Sequence, residues 1–101
     1  MSNALQVKTI WKYPLEIQEE QTVEVPYGSQ LLSLMGQNDL PVLYVLVNPY
    51  TKVKEVWHFS LWATGQKIGD EMLRTSIFVG TVSTYEGRLI WHLWRNNPSG
   101  S

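Results

Sequence analysis

The chain has 101 residues, which is enough for one domain with a modest hydrophobic core and too few for two domains. Hydrophobic residues make up 44% and charged residues 17%, so we expect the chain as a whole to fold and not to be a disordered tail. A net charge of -1 gives no basic excess to hold a nucleic-acid backbone, and the absence of cysteine excludes disulfides, thiolate metal sites and a cysteine nucleophile. No apolar run approaches the ~18 residues of a membrane span, so we expect no membrane association.

Short runs rich in β-branched and aromatic residues alternate with turn signals along the chain, and this pattern predicts strands. Pro14 and Pro26 end the first two runs, and residues 41–47 form an unbroken apolar run typical of a buried central strand. Asp70 is predicted to cap one helical turn at residues 70–74. The predicted strands are residues 7–13, 22–25, 30–37, 41–47, 53–63 and the two strands of a final hairpin within residues 77–95.

These elements predict an all-β fold, a compact antiparallel sandwich or open barrel of about seven short strands with at most one short helical turn. We expect a single β domain at residues 7–95. It would lie between a disordered or tag-like N-terminus, residues 1–6, and a flexible tail, residues 96–101.

The final hairpin is the densest apolar segment of the chain. A type I turn closed by Gly87 predicts that Val82 faces Ile90, and that Phe78 faces Trp94. Further pairs predicted by the same register are Gly80 with His92, Thr81 with Trp91 and Val79 with Leu93. One face of the hairpin is predicted to join the core, in which we expect to find Trp57, Phe59, Leu61, Val79, Leu89, Trp91 and Leu93 buried together.

The other face of the hairpin is also apolar and therefore needs to be covered. Tryptophan and other large apolar side chains dominate protein interfaces, so we interpret this face as a protein-binding surface. The expected occupant is a protein partner or a second copy in a two-fold homodimer. In the alternative arrangement, the loop of residues 65–74 folds over the face within the monomer. The predicted partner-binding residues are Phe78, Val82, Ile90, His92, Trp94 and Trp62.

The loop at residues 63–69 is an alternative candidate site for a small anionic ligand such as a signalling nucleotide. Two glycines let backbone N–H groups converge, and Lys67 adds positive charge. The predicted ligand-binding residues are Gly65, Gln66 and Lys67, with Trp62 as a stacking aromatic. The other interpretation is a strand connection that requires positive φ, and the sequence favours it.

No set of residues indicates catalysis. The two histidines, His58 and His92, lie on different predicted strands without a carboxylate at metal-ligand spacing. Most acidic residues fall in predicted turns, and no nucleophile motif is present. We therefore expect a protein that is not an enzyme and that has no catalytic residues, metal or cofactor. Nucleic acid is not an expected partner, since the Trp-rich hairpin carries only Arg88 and Arg95 as cations.

Several stretches resemble a family of small uncharacterised tailed-phage and prophage proteins, a domain of unknown function. They are IWKYPL at residues 10–15, TVEVPYGSQLLS at 22–33, ATGQKI at 63–68, FVGTV at 78–82 and LIWHL at 89–93. Ala63 stands where the family is expected to have glycine, which argues against a strict backbone cradle in that loop. The resemblance implies a small β-rich fold, a phage origin and action in the cytoplasm of a bacterial host cell. By analogy it implies host-takeover or anti-defence binding, and it implies no reaction.

Overall fold

The computed structural model describes residues 7–96, and it confirms the all-β prediction. Seven strands and one short helix follow one another along the chain. They are β1 (Thr9–Pro14), β2 (Glu20–Pro26), β3 (Gln30–Gln37), β4 (Leu40–Val47), β5 (Lys54–Ala63), α1 (Asp70–Arg74), β6 (Ser76–Thr84) and β7 (Leu89–Asn96). Within residues 7–96, no helix is long and apolar enough to cross a membrane.

The strands form two antiparallel sheets that stack as a sandwich. The strand order is β1-β4-β3 in one sheet and β2-β5-β7-β6 in the other. Asn38 and Asp39 join β3 to β4, and both have left-handed φ angles, 53° and 62°. A two-residue connection with two left-handed residues is the type I′ turn, whose twist matches that of the flanking strands.

Apolar residues from the facing sides of both sheets fill the space between them. Trp57 and Phe59 of β5 lie at the centre, with ring centroids 6.4 Å apart in an edge-to-face arrangement. Burying a side chain of this size stabilises a fold by roughly 1.5–3 kcal/mol. The buried cluster consists of Leu15, Val25, Leu43, Val45, Val47, Trp57, Phe59, Leu61 and Leu93.

The predicted core is confirmed for the four residues Trp57, Phe59, Leu61 and Leu93. Val79 and Trp91 are partly buried and pack against the cluster. The prediction is wrong for Leu89, which is 44% exposed. Leu89 is the first residue of β7 and lines an open cavity of about 210 Å³ at the end of the sheet, so it is not covered.

The predicted register of the final hairpin is correct at one end and wrong at the other. Phe78 pairs with Trp94 as expected, but Val82 pairs with Trp91 instead of Ile90. The cause is a four-residue connection, residues 85–88, where the turn chemistry predicted three. A bulge between Phe78 and Gly80 compensates for the extra residue. The remaining shifted pairs are Gly80 with Leu93 and Thr81 with His92.

Two further predictions need correction at element ends. Asp70 does not cap α1, because Gly69 occupies the N-cap position without a side-chain cap and Asp70 is the first helical residue. Asn96 is not part of a tail, because it is the last residue of β7. The rest of the predicted tail, 97–101, and the predicted N-terminal segment, 1–6, lie outside the described residues.

Candidate partner-binding surface

The outward side of the four-stranded sheet carries five of the six residues predicted to bind a partner. Alternate residues of each strand point away from the core, because side chains alternate between the two faces of a sheet. Pairing places Trp62 beside His92 and Phe78 beside Trp94 on this side. Ile90 follows on β7 at the same spacing. We call this side the outer face of the four-stranded sheet.

Val82 does not lie on the outer face. The bulge shifts the pairing of β6 by one residue, and a one-residue shift moves a side chain to the opposite side of the sheet. Val82 is consequently 5% exposed and belongs to the space between the sheets.

The central part of the outer face is covered by the chain itself. His92 Nε2 lies 2.7 Å from Thr64 Oγ1, and His92 Nδ1 lies 3.0 Å from Thr81 Oγ1. Both ring nitrogens are therefore held by threonine hydroxyls, one from the loop after β5 and one from β6. Met72 of α1 places its sulfur 3.9 Å from Ser60 Oγ, and Ser60 is 3% exposed. Met72 belongs to the segment 65–74 that the intramonomer alternative places over this face, whereas Thr64 lies just before that segment and Thr81 lies in β6.

A polar cluster anchors the end of the outer face beside α1. Asn96 Oδ1 accepts hydrogen bonds from Ser60 Oγ at 2.9 Å and from Ser76 Oγ at 2.8 Å. One side chain thereby ties β5, β6 and β7 together. The indole nitrogen of Trp62 is also buried, and it has no hydrogen-bond partner among residues 7–96.

Phe78 and Trp94 form the part of the outer face that remains open. Their ring centroids are 5.2 Å apart with an interplanar angle of 61°, an edge-to-face contact. Phe78 is 49% exposed although it is a large apolar residue in a strand. An aromatic held rigidly by a second ring and half exposed has the properties of an interface anchor.

A groove runs beside this pair along the edge where β3 and β6 meet. It has a volume of about 260 Å³, and we call it the β3–β6 groove. Besides Phe78, the exposed large apolar residues that line it are Leu32 and Ile77, at 43% and 64% exposure. The residues that line it are Leu31, Leu32, Ser33, Ile77, Phe78, Val79 and Arg95.

Sequence reasoning missed Leu32, Ile77 and Arg95 as members of this surface. Leu32 lies where the pairing of β3 with β4 is irregular, between Leu31 and Ser33. A leucine doublet breaks the alternation expected of a strand with one buried face, so this signal was present in the sequence. Arg95 lies on β7 with its guanidinium carbon 4.2 Å from the centre of the Trp57 ring, a cation–π contact that holds the cation beside the groove.

The loop predicted to bind an anionic ligand is a hydrogen-bonded turn. Gly65 has φ of 90°, and the N–H of Gln66 donates to the carbonyl of Ala63 at 3.1 Å. The side-chain oxygen of Gln66 accepts from the N–H of Ala63 at 2.9 Å. These bonds explain the glycine by turn geometry alone. Lys67 is exposed, and binding of an anion here stays a prediction.

The two histidines lie far apart on the sheet. His58 pairs with Asn96, which is four residues from His92 along β7, a separation of about 13 Å. His58 borders a groove of about 610 Å³ together with Glu16 and Glu20, and no hydrogen bond joins its ring to another described residue. Among residues 7–96, no three His, Asp or Glu side chains are grouped to hold a metal ion.

One titratable group in the described part of the chain has a clearly shifted pKa. Burial of Tyr13 at the margin of the core raises the pKa of its phenol above the ordinary value of 10.0. This tyrosine belongs to β1, and its shift reflects packing.

Comparison with known proteins gives a family and no activity. Neither the curated proteins nor the solved structures include a significant match to this chain. A family model described as "Domain of unknown function (DUF7352)" matches residues 6–101. The match spans nearly the whole chain, and the protein therefore belongs to this family, DUF7352.

Proposed function

We propose that the protein is a non-enzymatic binding protein that holds a protein partner at Phe78, Trp94 and the β3–β6 groove. The observation that supports this most directly is the exposure of Phe78. It is 49% exposed while its ring is fixed against Trp94, and exposed Ile77 and Leu32 lie beside it. Contiguous exposed apolar side chains of this kind mark protein-binding sites on soluble domains.

The groove also indicates the chemistry of the partner. Its apolar side chains accept one or two apolar side chains of the partner, and Arg95 is the charged residue among those that line it. A guanidinium beside an apolar groove favours a carboxylate in the ligand. The partner segment therefore combines an apolar side chain with an acidic group close to it.

The phage origin and the site of action belong to the same proposal. They rest on the resemblance of the motifs at residues 10–15, 22–33, 63–68, 78–82 and 89–93 to small tailed-phage and prophage proteins. In that setting the partner is a protein of the bacterial host cytoplasm, and binding serves host takeover or resistance to a defence system. Support for this part comes from the sequence resemblance alone.

The proposal is tested by affinity capture from bacterial lysate followed by titration of the captured protein. We expect wild type to retain a partner that Phe78→Ser loses, with the dissociation constant raised at least about 30-fold, as for an interface hot spot. Tyr50→Ser is the matched control, because Tyr50 is an exposed aromatic, 61% exposed, in the connection between β4 and β5. Circular dichroism confirms that both variants fold. Equal capture by wild type and Phe78→Ser contradicts the proposal.

A further inference from the structure

Two strand edges are open on the side of the sandwich away from the β3–β6 groove. β3 and β6 are the last strands of their sheets, and they meet where the Cβ position of Gly36 lies 2.8 Å from the carbonyl oxygen of Ser83. The strands at the opposite ends of the two sheets are β1 and β2, and within residues 7–96 each pairs on one side only. An unpaired edge presents a row of free backbone N–H and C=O groups.

Hydrogen bonds at the strand ends show which groups of β1 point outward. The N–H of Leu15 donates to the carbonyl of Pro41 at 2.8 Å, in line with the antiparallel register of β1 and β4. Since bonded and non-bonded pairs alternate along an antiparallel ladder, the odd residues of β1 bond to β4. Ile10 and Lys12 consequently direct their N–H and C=O groups to the free side. Pro14 follows at the next outward position and has no N–H to offer.

The hydrogen bonds between β2 and β5 alternate in the same way. The N–H of Leu61 donates to Glu19 O at 2.9 Å, and the N–H of Tyr27 donates to Val53 O at 2.8 Å. Both bonds fit the register of β2 with β5, so the even residues of β2 point to its free side. The outward residues are Glu20, Thr22 and Glu24, followed by Pro26. The carbonyl of Glu20 already accepts a hydrogen bond from Gln18 Nε2 at 3.1 Å, and that of Pro26 accepts one from Ser29 Oγ at 2.6 Å, so the free carbonyls of this edge are those of Thr22 and Glu24.

The two edges carry opposite charges. Lys12 lies on the outward side of its sheet, because its neighbour Trp11 pairs with buried Val45. In β2, Val23 points inward because it pairs with buried Trp57. Side chains alternate between the two faces of a strand, so Glu20 and Glu24 point to the outward side of the four-stranded sheet. None of Lys12, Glu20 and Glu24 forms an ion pair within the described chain.

We infer that β1 of one copy pairs with β2 of a second copy, and β2 of the first with β1 of the second, around a two-fold axis parallel to the strands. The connection of residues 15–19 joins the end of β1 to the start of β2, so these strands run in opposite directions and the new pairs are antiparallel. Each three-stranded sheet joins a four-stranded sheet, and the dimer has two continuous seven-stranded sheets. A closed two-fold arrangement leaves neither edge exposed.

Charge selects this pairing over the alternatives. In the new sheet, Lys12 of one copy lies on the same face as Glu20 and Glu24 of the other, where opposite charges on neighbouring strands stabilise the pairing. Pairing of β1 with another β1 would bring lysines together, and pairing of β2 with another β2 would bring glutamates together. Like charges on adjacent strands are destabilising.

The apolar side chains of the edges support the same arrangement. On the inward side, Trp11 is 38% exposed at the margin of the core, and Val23 is only partly buried. Joining β1 to β2 places these two residues against each other under the new sheet. Burial of the exposed part of Trp11 then adds hydrophobic stabilisation, at roughly 25 cal/mol per Å² of apolar surface.

The test is the dissociation constant of the dimer, measured on the full chain by sedimentation equilibrium. We expect Lys12→Glu to raise it about 10- to 100-fold, because the two-fold axis makes each substitution act at both new strand pairs. The triple variant Lys12→Glu, Glu20→Lys, Glu24→Lys exchanges the charges and restores dimerisation. Arg88→Glu makes the same charge change in an exposed connection on the other side of the molecule and leaves dimerisation unchanged.

A second variant tests the backbone pairing. Thr22→Pro removes an outward N–H that no intramolecular bond uses, so we expect a folded monomer. The inference is overturned if the wild-type protein is monomeric at high micromolar concentration. It is also overturned if Lys12→Glu and Thr22→Pro both dimerise with the dissociation constant of wild type. Failure of the triple variant to dimerise overturns the charge pairing. The inference does not rest on the proposed function, and Phe78→Ser is expected to dimerise like wild type.

Discussion

Gly36 lies on β3 where this strand meets β6 of the other sheet. A Cβ atom at this position would lie 2.8 Å from the carbonyl oxygen of Ser83 on β6, whereas ordinary van der Waals contacts begin at 3.4 Å. The obstacle is backbone, so it does not rotate away. Next to it, the N–H of Tyr85 donates to Asp39 Oδ1 at 2.8 Å and joins the two adjoining turns. Gly36→Ala therefore forces β3 and β6 apart at this end of their contact, which we call the Gly36 corner.

The size of the effect follows from this geometry. The two strands have to separate by about 0.6 Å at a packed corner, and overpacking of this kind costs about 1–3 kcal/mol. Gly36 has no positive φ, so alanine fits the strand backbone and returns about 0.5–1 kcal/mol. We expect a net loss of about 1–2 kcal/mol in the free energy of unfolding. For a domain of this size it corresponds to a melting temperature lower by roughly 5–15 °C.

Urea unfolding of Gly36→Ala beside Gly80→Ala measures this effect. Gly80 lies on β6 at the same corner, but a Cβ there would meet only the Leu34 side chain, at 3.4 Å, an ordinary contact. We expect Gly80→Ala to keep the stability of wild type or to exceed it slightly. If Gly36→Ala is as stable as Gly80→Ala, β3 and β6 can separate there without loss of stability, which refutes the prediction.

Two other predictions concern the polar groups of the sandwich. Asn96→Ala leaves the hydroxyls of Ser60 and Ser76 without their shared acceptor and should lower the free energy of unfolding by about 1–3 kcal/mol. The double variant Ser60→Ala, Asn96→Ala should recover part of this loss, and equal stability of wild type and Asn96→Ala contradicts the prediction. Because burial raises the pKa of Tyr13, the contribution of this residue to stability is full below pH 10.0 and is lost as the pH rises through the folded-state pKa. Wild type should therefore lose more stability than Tyr13→Phe in this pH range. Parallel pH profiles of the two proteins in thermal unfolding would refute the prediction.

The sequence was sufficient to predict the strands because each carries a local signal. Residues 41–47 are a continuous β-branched and apolar run, and they form the central strand β4 of their sheet. The Asn38-Asp39 pair supplies the left-handed conformations that a hairpin turn requires. Prolines mark the ends of β1 and β2, and both lie at outward positions of edge strands, where a missing N–H has no cost.

The register of the last hairpin could not be predicted because it depends on contacts between distant strands. The bulge between Phe78 and Gly80 lies where β6 meets β3. The pairing of β3 with β4 is irregular beside it, between Leu31 and Ser33, at the β3–β6 groove. A bulge bends a strand and increases its twist, which lets two edges approach each other. The position of Val82 is thus decided by packing between sheets, and periodicity within residues 77–95 contains no information on it.

The same shift explains why the candidate site is smaller than the predicted one. Sequence patterning grouped Phe78, Trp94, His92 and Trp62, which the pairing of the strands places on one side of the sheet, but it wrongly included Val82. It left open whether the loop after β5 covers this face. The bonds from Thr64 to His92 and the contact of Met72 with Ser60 are long-range contacts of a loop without periodic pattern. Coverage of the centre moves the open apolar area to Phe78 and the β3–β6 groove.

The positions of the two proposed surfaces have a consequence for binding. The β3–β6 groove lies at one side of the sandwich, and the free edges of β1 and β2 lie at the other. A dimer joined through the edges therefore leaves both grooves open, at its two far ends. Such a dimer presents two identical partner sites and binds an oligomeric or repetitive partner by avidity, which increases apparent affinity without any new contact. Lys12→Glu should then weaken capture of a multivalent partner and leave the affinity for a single partner segment unchanged, whereas Phe78→Ser should weaken both.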